Sequence, residues 1–130
     1  MPFPVEMPFV KQAEEQLARS LPLGYVGRIC RNNGGEVRAA GDVFQLYPVL
    51  DTTDRKRLAR TCNDIVRETV AAREWPTFPP DALAIGDNGS GDKLVFLAEP
   101  DTPRFADAVY WWDHEIGDLR RVAEMFEELR

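Results

Sequence analysis

Lys93-Leu94-Val95-Phe96-Leu97-Ala98-Glu99 constrains the fold of this chain more than any other stretch. In an extended backbone successive side chains point to opposite faces, so a strand with one wet face alternates apolar and polar residues. The centre of this run is apolar on both alternations. A strand of that kind belongs inside a sheet whose two faces are both covered. Covering it needs a core, and 130 residues with 44% hydrophobic and 10% aromatic side chains can supply one. A chain of that size buries roughly two-thirds of its unfolded surface, as one domain. The sequence therefore predicts a single domain over residues 1–130.

The elements around that strand follow from spacing and punctuation. Pro2, Pro4 and Pro8 keep residues 1–9 as an extended arm. Val10, Ala13, Glu14, Leu17 and Leu21 recur at helical steps, with Glu14 as a polar interruption. After a break at Pro22, Tyr25/Ile29 and Val26/Cys30 pair at four-residue spacing in a second helix over 23–31, ended by Asn32-Asn33-Gly34-Gly35. Residues 36–39 and 43–47 read as strands joined by a turn at Ala40-Gly41-Asp42. Asp51-Thr52-Thr53-Asp54 caps what should be the longest helix, ending near Trp75 before Pro76. Its buried face would be Leu58, Cys62, Ile65, Val66, Thr69 and Val70, with Arg55, Lys56, Arg57, Arg60 and Arg67 outside. Leu83-Ala84-Ile85 and Ala108-Val109-Tyr110-Trp111-Trp112-Asp113 are further strands. Leu119, Val122, Phe126 and Leu129 step by three, four and three, predicting a closing helix capped by Gly117-Asp118. Together these give an α+β domain with a central antiparallel or mixed sheet.

Several functional classes fall away. No run approaches the ~18 apolar residues that span a bilayer, and the N-terminus lacks the charged and apolar regions of a secretory signal. Cys30 and Cys62 are too few for a disulfide framework or a zinc ribbon, so the expectation is a reduced, cytoplasmic protein without a cofactor. With 16 Lys+Arg against 22 Asp+Glu the net charge is −6. That balance argues against direct nucleic-acid binding and suits a basic protein partner.

Gly86-Asp87-Asn88-Gly89-Ser90-Gly91 is a first candidate for chemistry. Its GxxGxG spacing matches neither a dinucleotide fingerprint nor a phosphate loop, and a strand follows it rather than a helix. As a calcium loop it fails at Gly89, Gly91 and Ala98, where ligands are required. A structural turn is the plainer reading. Asp113-His114-Glu115 sets the only His of the chain between two carboxylates, a pattern for a metal site or an oriented base. In extended backbone, however, His114 would face away from Asp113 and Glu115, and a lone His is more often a hydrogen-bonded structural residue. Cys62 and Cys30 fall on apolar helix faces, where thiols are inert. Tyr110-Trp111-Trp112 offers stacking rings, but alternation sends at least one of its faces to the core.

Two stretches carry a resemblance. Ile85-Gly86-Asp87-Asn88-Gly89-Ser90-Gly91-Asp92 leads into an apolar strand, and Val109-Tyr110-Trp111-Trp112-Asp113-His114-Glu115 precedes a segment with Ala123-Glu124-Met125-Phe126-Glu127-Glu128-Leu129. Upstream lie Leu21-Pro22, Asn33-Gly34-Gly35 and the approach Pro79-Pro80-Asp81-Ala82-Leu83. In this order they resemble the SUKH superfamily, in particular its Smi/Knr-like branch. Residues 50–77 carry no motif of that pattern, and Met125 and Leu129 depart from its usual ending.

The resemblance implies a cytoplasmic, non-catalytic module that neutralises a cognate toxin by binding it, as bacterial immunity proteins do, or a regulatory protein-interaction scaffold like the fungal relatives. An acidic domain facing a basic toxin such as a nuclease can present carboxylates where phosphates would sit. Asp87, Asp92, Asp113 and Glu115 are the partner-binding candidates, set against a plainer role as turn caps. Gly86, Gly89, Gly91, Trp112, His114 and Phe126 are the structural positions of the pattern. The competing expectation is a small-ligand or metal-dependent enzyme using Asp113, His114 and Glu115.

Overall fold

A computed structural model describes residues 3–129. Its elements are, in chain order, helices α1 (Met7–Leu17) and α2 (Leu23–Arg31), strands β1 (Glu36–Ala39) and β2 (Asp42–Leu46), helices α3 (Arg55–Thr61) and α4 (Ile65–Ala72), then β3 (Leu83–Asp87), β4 (Lys93–Ala98), β5 (Phe105–Trp112) and β6 (Leu119–Ala123). A short 3₁₀ turn over Phe126–Glu128 closes the chain. The fold is α+β. The strands form a six-stranded sheet in the order β1-β2-β3-β4-β5-β6, every neighbouring pair antiparallel. It is a meander with α3 and α4 inserted between its second and third strands.

The doubly apolar strand lies inside this sheet as β4, with Leu94, Val95 and Phe96 all fully buried. On one face Phe96 meets Tyr25 of α2 edge-on at 5.3 Å, and Phe126 meets Tyr25 at 5.2 Å. Beside it, Thr69 of α4 accepts a hydrogen bond at Oγ1 from the Ala84 amide of β3 at 2.9 Å. Both contacts use helices that spacing marked out. Glu14, the polar interruption on α1, has a task as well, because its Oε2 accepts the Leu21 amide at 2.7 Å just beyond the helix end.

Four expectations are corrected. The extended arm ends at Glu6, because α1 begins at Met7 and Pro8 occupies the first turn, where no amide partner is needed; Met1 and Pro2 lie outside the described residues. The single long helix is two, broken at residues 62–64. Asp64 caps a new start by accepting from the Val66 and Arg67 amides, and the change of direction leaves Leu58, Cys62 and Val70 exposed while Ile65 and Thr69 stay buried. Cys30 is only half-buried, its Sγ 3.5 Å from Met7 Sδ. The predicted closing helix is β6 plus the 3₁₀ turn: Trp112, Trp111 and Tyr110 pair with Leu119, Arg120 and Arg121. Main-chain pairing with β5 outweighed a helical spacing whose first member, Leu119, remains exposed.

Candidate functional site

In a meander every second connection returns to the same end of the sheet. The turn between β1 and β2 (residues 40–41), the loop between β3 and β4 (88–92) and the connection between β5 and β6 (113–118) therefore gather at one end. Ala40 and Gly41 both hold positive φ, the two-residue hairpin geometry that follows strand twist. Asn88 Nδ2 donates to Asp42 Oδ2 at 3.1 Å, tying the first turn to the second.

The glycine loop satisfies itself. Asp87 Oδ1 accepts the Gly89 amide at 3.0 Å and Asn88 Oδ1 accepts the Ser90 amide at 3.0 Å. Two of its glycines are fixed by close approach. A Cβ on Gly86 would lie 2.6 Å from the Gln45 carbonyl oxygen, and one on Gly91, whose φ is +110°, would lie 2.9 Å from the His114 ring. Gly91 is the floor on which the imidazole rests.

Asp92, the last residue of that loop, holds the second and third turns together. Its Oδ2 accepts Trp111 Nε1 at 3.0 Å, while Oδ1 accepts the His114 amide at 3.1 Å and lies 2.6 Å from His114 Nδ1. A carboxylate can only accept, so Nδ1 carries the proton. Both side chains are mostly shielded, at 16% and 19% exposure. Burial pushes the Asp92 carboxyl up, but the hydrogen bonds from the His114 side chain and amide and from Trp111, with the charge of His114, outweigh it and hold the group below the ordinary carboxylate range. The His114 ring stands edge-on to Trp75 at 5.7 Å, and Trp75 in turn meets the fully buried Trp112 at 6.2 Å. Phe78 closes the other side of Trp112 at 5.1 Å.

Asp113 begins the third turn. Its Oδ1 accepts the Glu115 amide at 2.9 Å, its carbonyl accepts the Gly117 amide, and its amide donates to the Asp118 carbonyl. The backbone here is a turn, not the extended segment assumed for residues 113–115, so His114 turns toward Asp92. A cavity of about 310 Å³ beside it is lined by Asp92, Trp111, Asp113, Ile116, Asp118 and Arg120. The Arg120 guanidinium sits 5.0 Å above the Trp111 ring.

Asp87 faces a separate set of partners. Tyr47 donates to Asp87 Oδ2 at 2.7 Å and accepts from Lys93 Nζ at 2.7 Å. Burial first, then the hydrogen bond and negative charge of Asp87, push the Tyr47 phenol far up, so it stays a neutral donor.

The four acidic candidates therefore divide. Asp92 and Asp113 meet around His114, Asp87 is engaged by Tyr47, and Glu115 points outward, exposed. Of the expected structural positions, Trp112 and Phe126 are core, Gly86 and Gly91 are set by close approach, Gly89 turns the loop with φ +84°, and His114 is half-buried. Sequence reasoning missed Trp75, Tyr47 and Lys93 as members of this end. Trp75 before Pro76 read as a helix stop, and its ring partners are supplied by strands far along the chain.

Chemically, an Asp–His pair can orient a base or hold a cation. Asp92, Asp113 and His114 bring ligand atoms within 4.8 Å of one another, so Asp92 rather than Glu115 completes the set. Both Asp92 oxygens are already hydrogen-bonded, so a cation there would compete with Trp111 and His114 for them. The thiols lie on other partners, Cys30 against Met7 and Cys62 toward the Ala59 carbonyl. No helix among the described residues is long and apolar enough to cross a membrane. Compared with known proteins, residues 9–129 match the family model described as SMI1 / KNR4 family (SUKH-1). No curated protein matches the chain.

Proposed function

The chain belongs to the SMI1/KNR4 family (SUKH-1), and from that premise we propose that it is a non-catalytic protein-binding module that neutralises a cognate basic toxin in the cytoplasm by direct contact. The observation that carries this reading is the closed bonding of the polar groups in the two family-like stretches. Asp92 is spent on Trp111 and His114, and Asp87 on Tyr47. With Asn88, which bonds Asp42, these side chains tie the turns to one another instead of aiming at a substrate. The third turn that they position carries Asp113, Glu115 and Asp118. Carboxylates so placed accelerate encounter with a basic surface and select against acidic ones.

Co-expression with the products of the genes neighbouring its own tests this reading. Protection of the host, with a stoichiometric complex of the two proteins, is the expected result. Failure to protect or to form a complex overturns it. Protection that survives without a complex and depends on His114 would move the reading to an enzyme.

A further inference from the structure

Two short segments run side by side at this end of the sheet, 74–77 after α4 and 113–118 between β5 and β6. Gly117 packs so closely on Thr77 that a Cβ there would lie 2.6 Å from the Thr77 Cβ, and Trp75 meets His114 across the same seam. Each segment leaves a large apolar side chain in water. Trp75 is 47% exposed and Ile116 67%. These segments carry Glu74, Asp113, Glu115 and Asp118; the cations beside them are Arg73, directly after α4, and Arg120, over the Trp111 ring, so carboxylates outnumber cations four to two.

We infer that this Trp75–Ile116 seam is the anchor of the interface, and that it fits a basic protein surface presenting an apolar side chain flanked by Arg or Lys. The inference rests on the binding-module reading and deepens it by naming where the partner sits and what it carries. Aromatic side chains dominate interface energetics when they are already fixed, since little conformational entropy is then lost on binding. Trp75 is fixed by its edge contacts with His114 and with buried Trp112. Ile116 stands on a turn whose backbone is held by amide bonds to Asp113. The excess of carboxylates decides the partner, because an acidic surface placed there would meet net like charge. The exposed Leu23 lies in a different groove, with Arg104, Asp107 and Glu127.

The test uses an (Arg-Leu)₄ peptide as the probe and (Glu-Leu)₄ as the control, each titrated into the full chain and followed by Trp fluorescence and amide shifts. The expected result is saturable binding of the arginine peptide alone, with shifts concentrated at the Trp75 indole and residues 113–118. Trp75→Ala and Ile116→Ser should each weaken it at least tenfold, and Leu23→Ala should leave it unchanged. Ile116 lies in an exposed turn, so its variant keeps the test valid should Trp75→Ala fold poorly. No binding, binding within twofold of wild type in the folded anchor variants, or shifts spread over every acidic residue would overturn the inference. This titration needs no toxin, so its failure is distinct from a failure to protect cells.

Discussion

Asp92→Ala removes one acceptor that serves three donors: Trp111 Nε1 at 3.0 Å, the His114 amide at 3.1 Å and His114 Nδ1 at 2.6 Å. A hydrogen bond to a charged group contributes about 1.5–3 kcal/mol net. The carboxylate is 16% exposed, so water reaches part of what is left behind, and bonds sharing one acceptor do not add. The expected cost is therefore about 3 kcal/mol, or a fall in Tm of roughly 10 °C for a domain of this size. Asp92→Asn keeps an acceptor oxygen for Trp111 and should cost about half as much. Urea unfolding followed by Trp fluorescence measures both, with an unchanged denaturant slope marking a stability effect. The pH dependence has a definite sign. The folded chain holds the Asp92 carboxyl below its ordinary value, so the unfolded chain takes up the proton first as the pH falls. The stabilisation is then complete above about pH 4, near the ordinary Asp value, and is lost as the pH drops through the lower folded value. The gap between wild type and Asp92→Asn should close across that window. A cost of Asp92→Ala below about 1 kcal/mol, or a gap that widens in acid, would refute the reasoning.

Tyr25 is fully buried with a hydroxyl that has no hydrogen-bond partner among the described residues. Tyr25→Phe keeps its edge contacts with Phe96 and Phe126, so the variant should unfold at higher urea, by about 1 kcal/mol of stability; a loss instead would mean the hydroxyl is satisfied. Gly91→Ala forces a side chain onto φ +110° and into the His114 ring, and should cost about 2 kcal/mol in thermal unfolding; a neutral result would show that the ring can move aside freely. Thr69→Val leaves the Ala84 amide unpaired under α4, at about 1–3 kcal/mol, and hydrogen exchange at Ala84 should speed up more than exchange at the central β4 amides.

The sequence by itself determined the elements whose signals are local. Five apolar residues in a row placed β4 between two covers, Pro22 and Asn32-Asn33-Gly34-Gly35 bounded α2, and Asp87, Gly89 and Gly91 marked a loop. It also carried the family resemblance, since that is a matter of residue order. Where two local signals were close in strength, the sequence alone misled. Leu119, Val122 and Phe126 fit a helix by spacing, but β5 offered an open edge whose amides and carbonyls needed partners. The long helix broke because Asp64 is a better cap than a helix interior residue.

How the residues of the candidate site bond to one another was decided by tertiary structure. Asp92 and His114 are 22 positions apart, and Tyr47 and Asp87 are 40. No pattern of spacing links them, because an antiparallel meander brings alternate turns together whatever the length of chain between them. The sequence supplied Asp113, His114 and Glu115 as neighbours, and a backbone turn then sent His114 toward Asp92 and Glu115 out to water. Side-chain direction at such a turn depends on which hydrogen bonds the surrounding loops can offer, and those exist only once the sheet has formed.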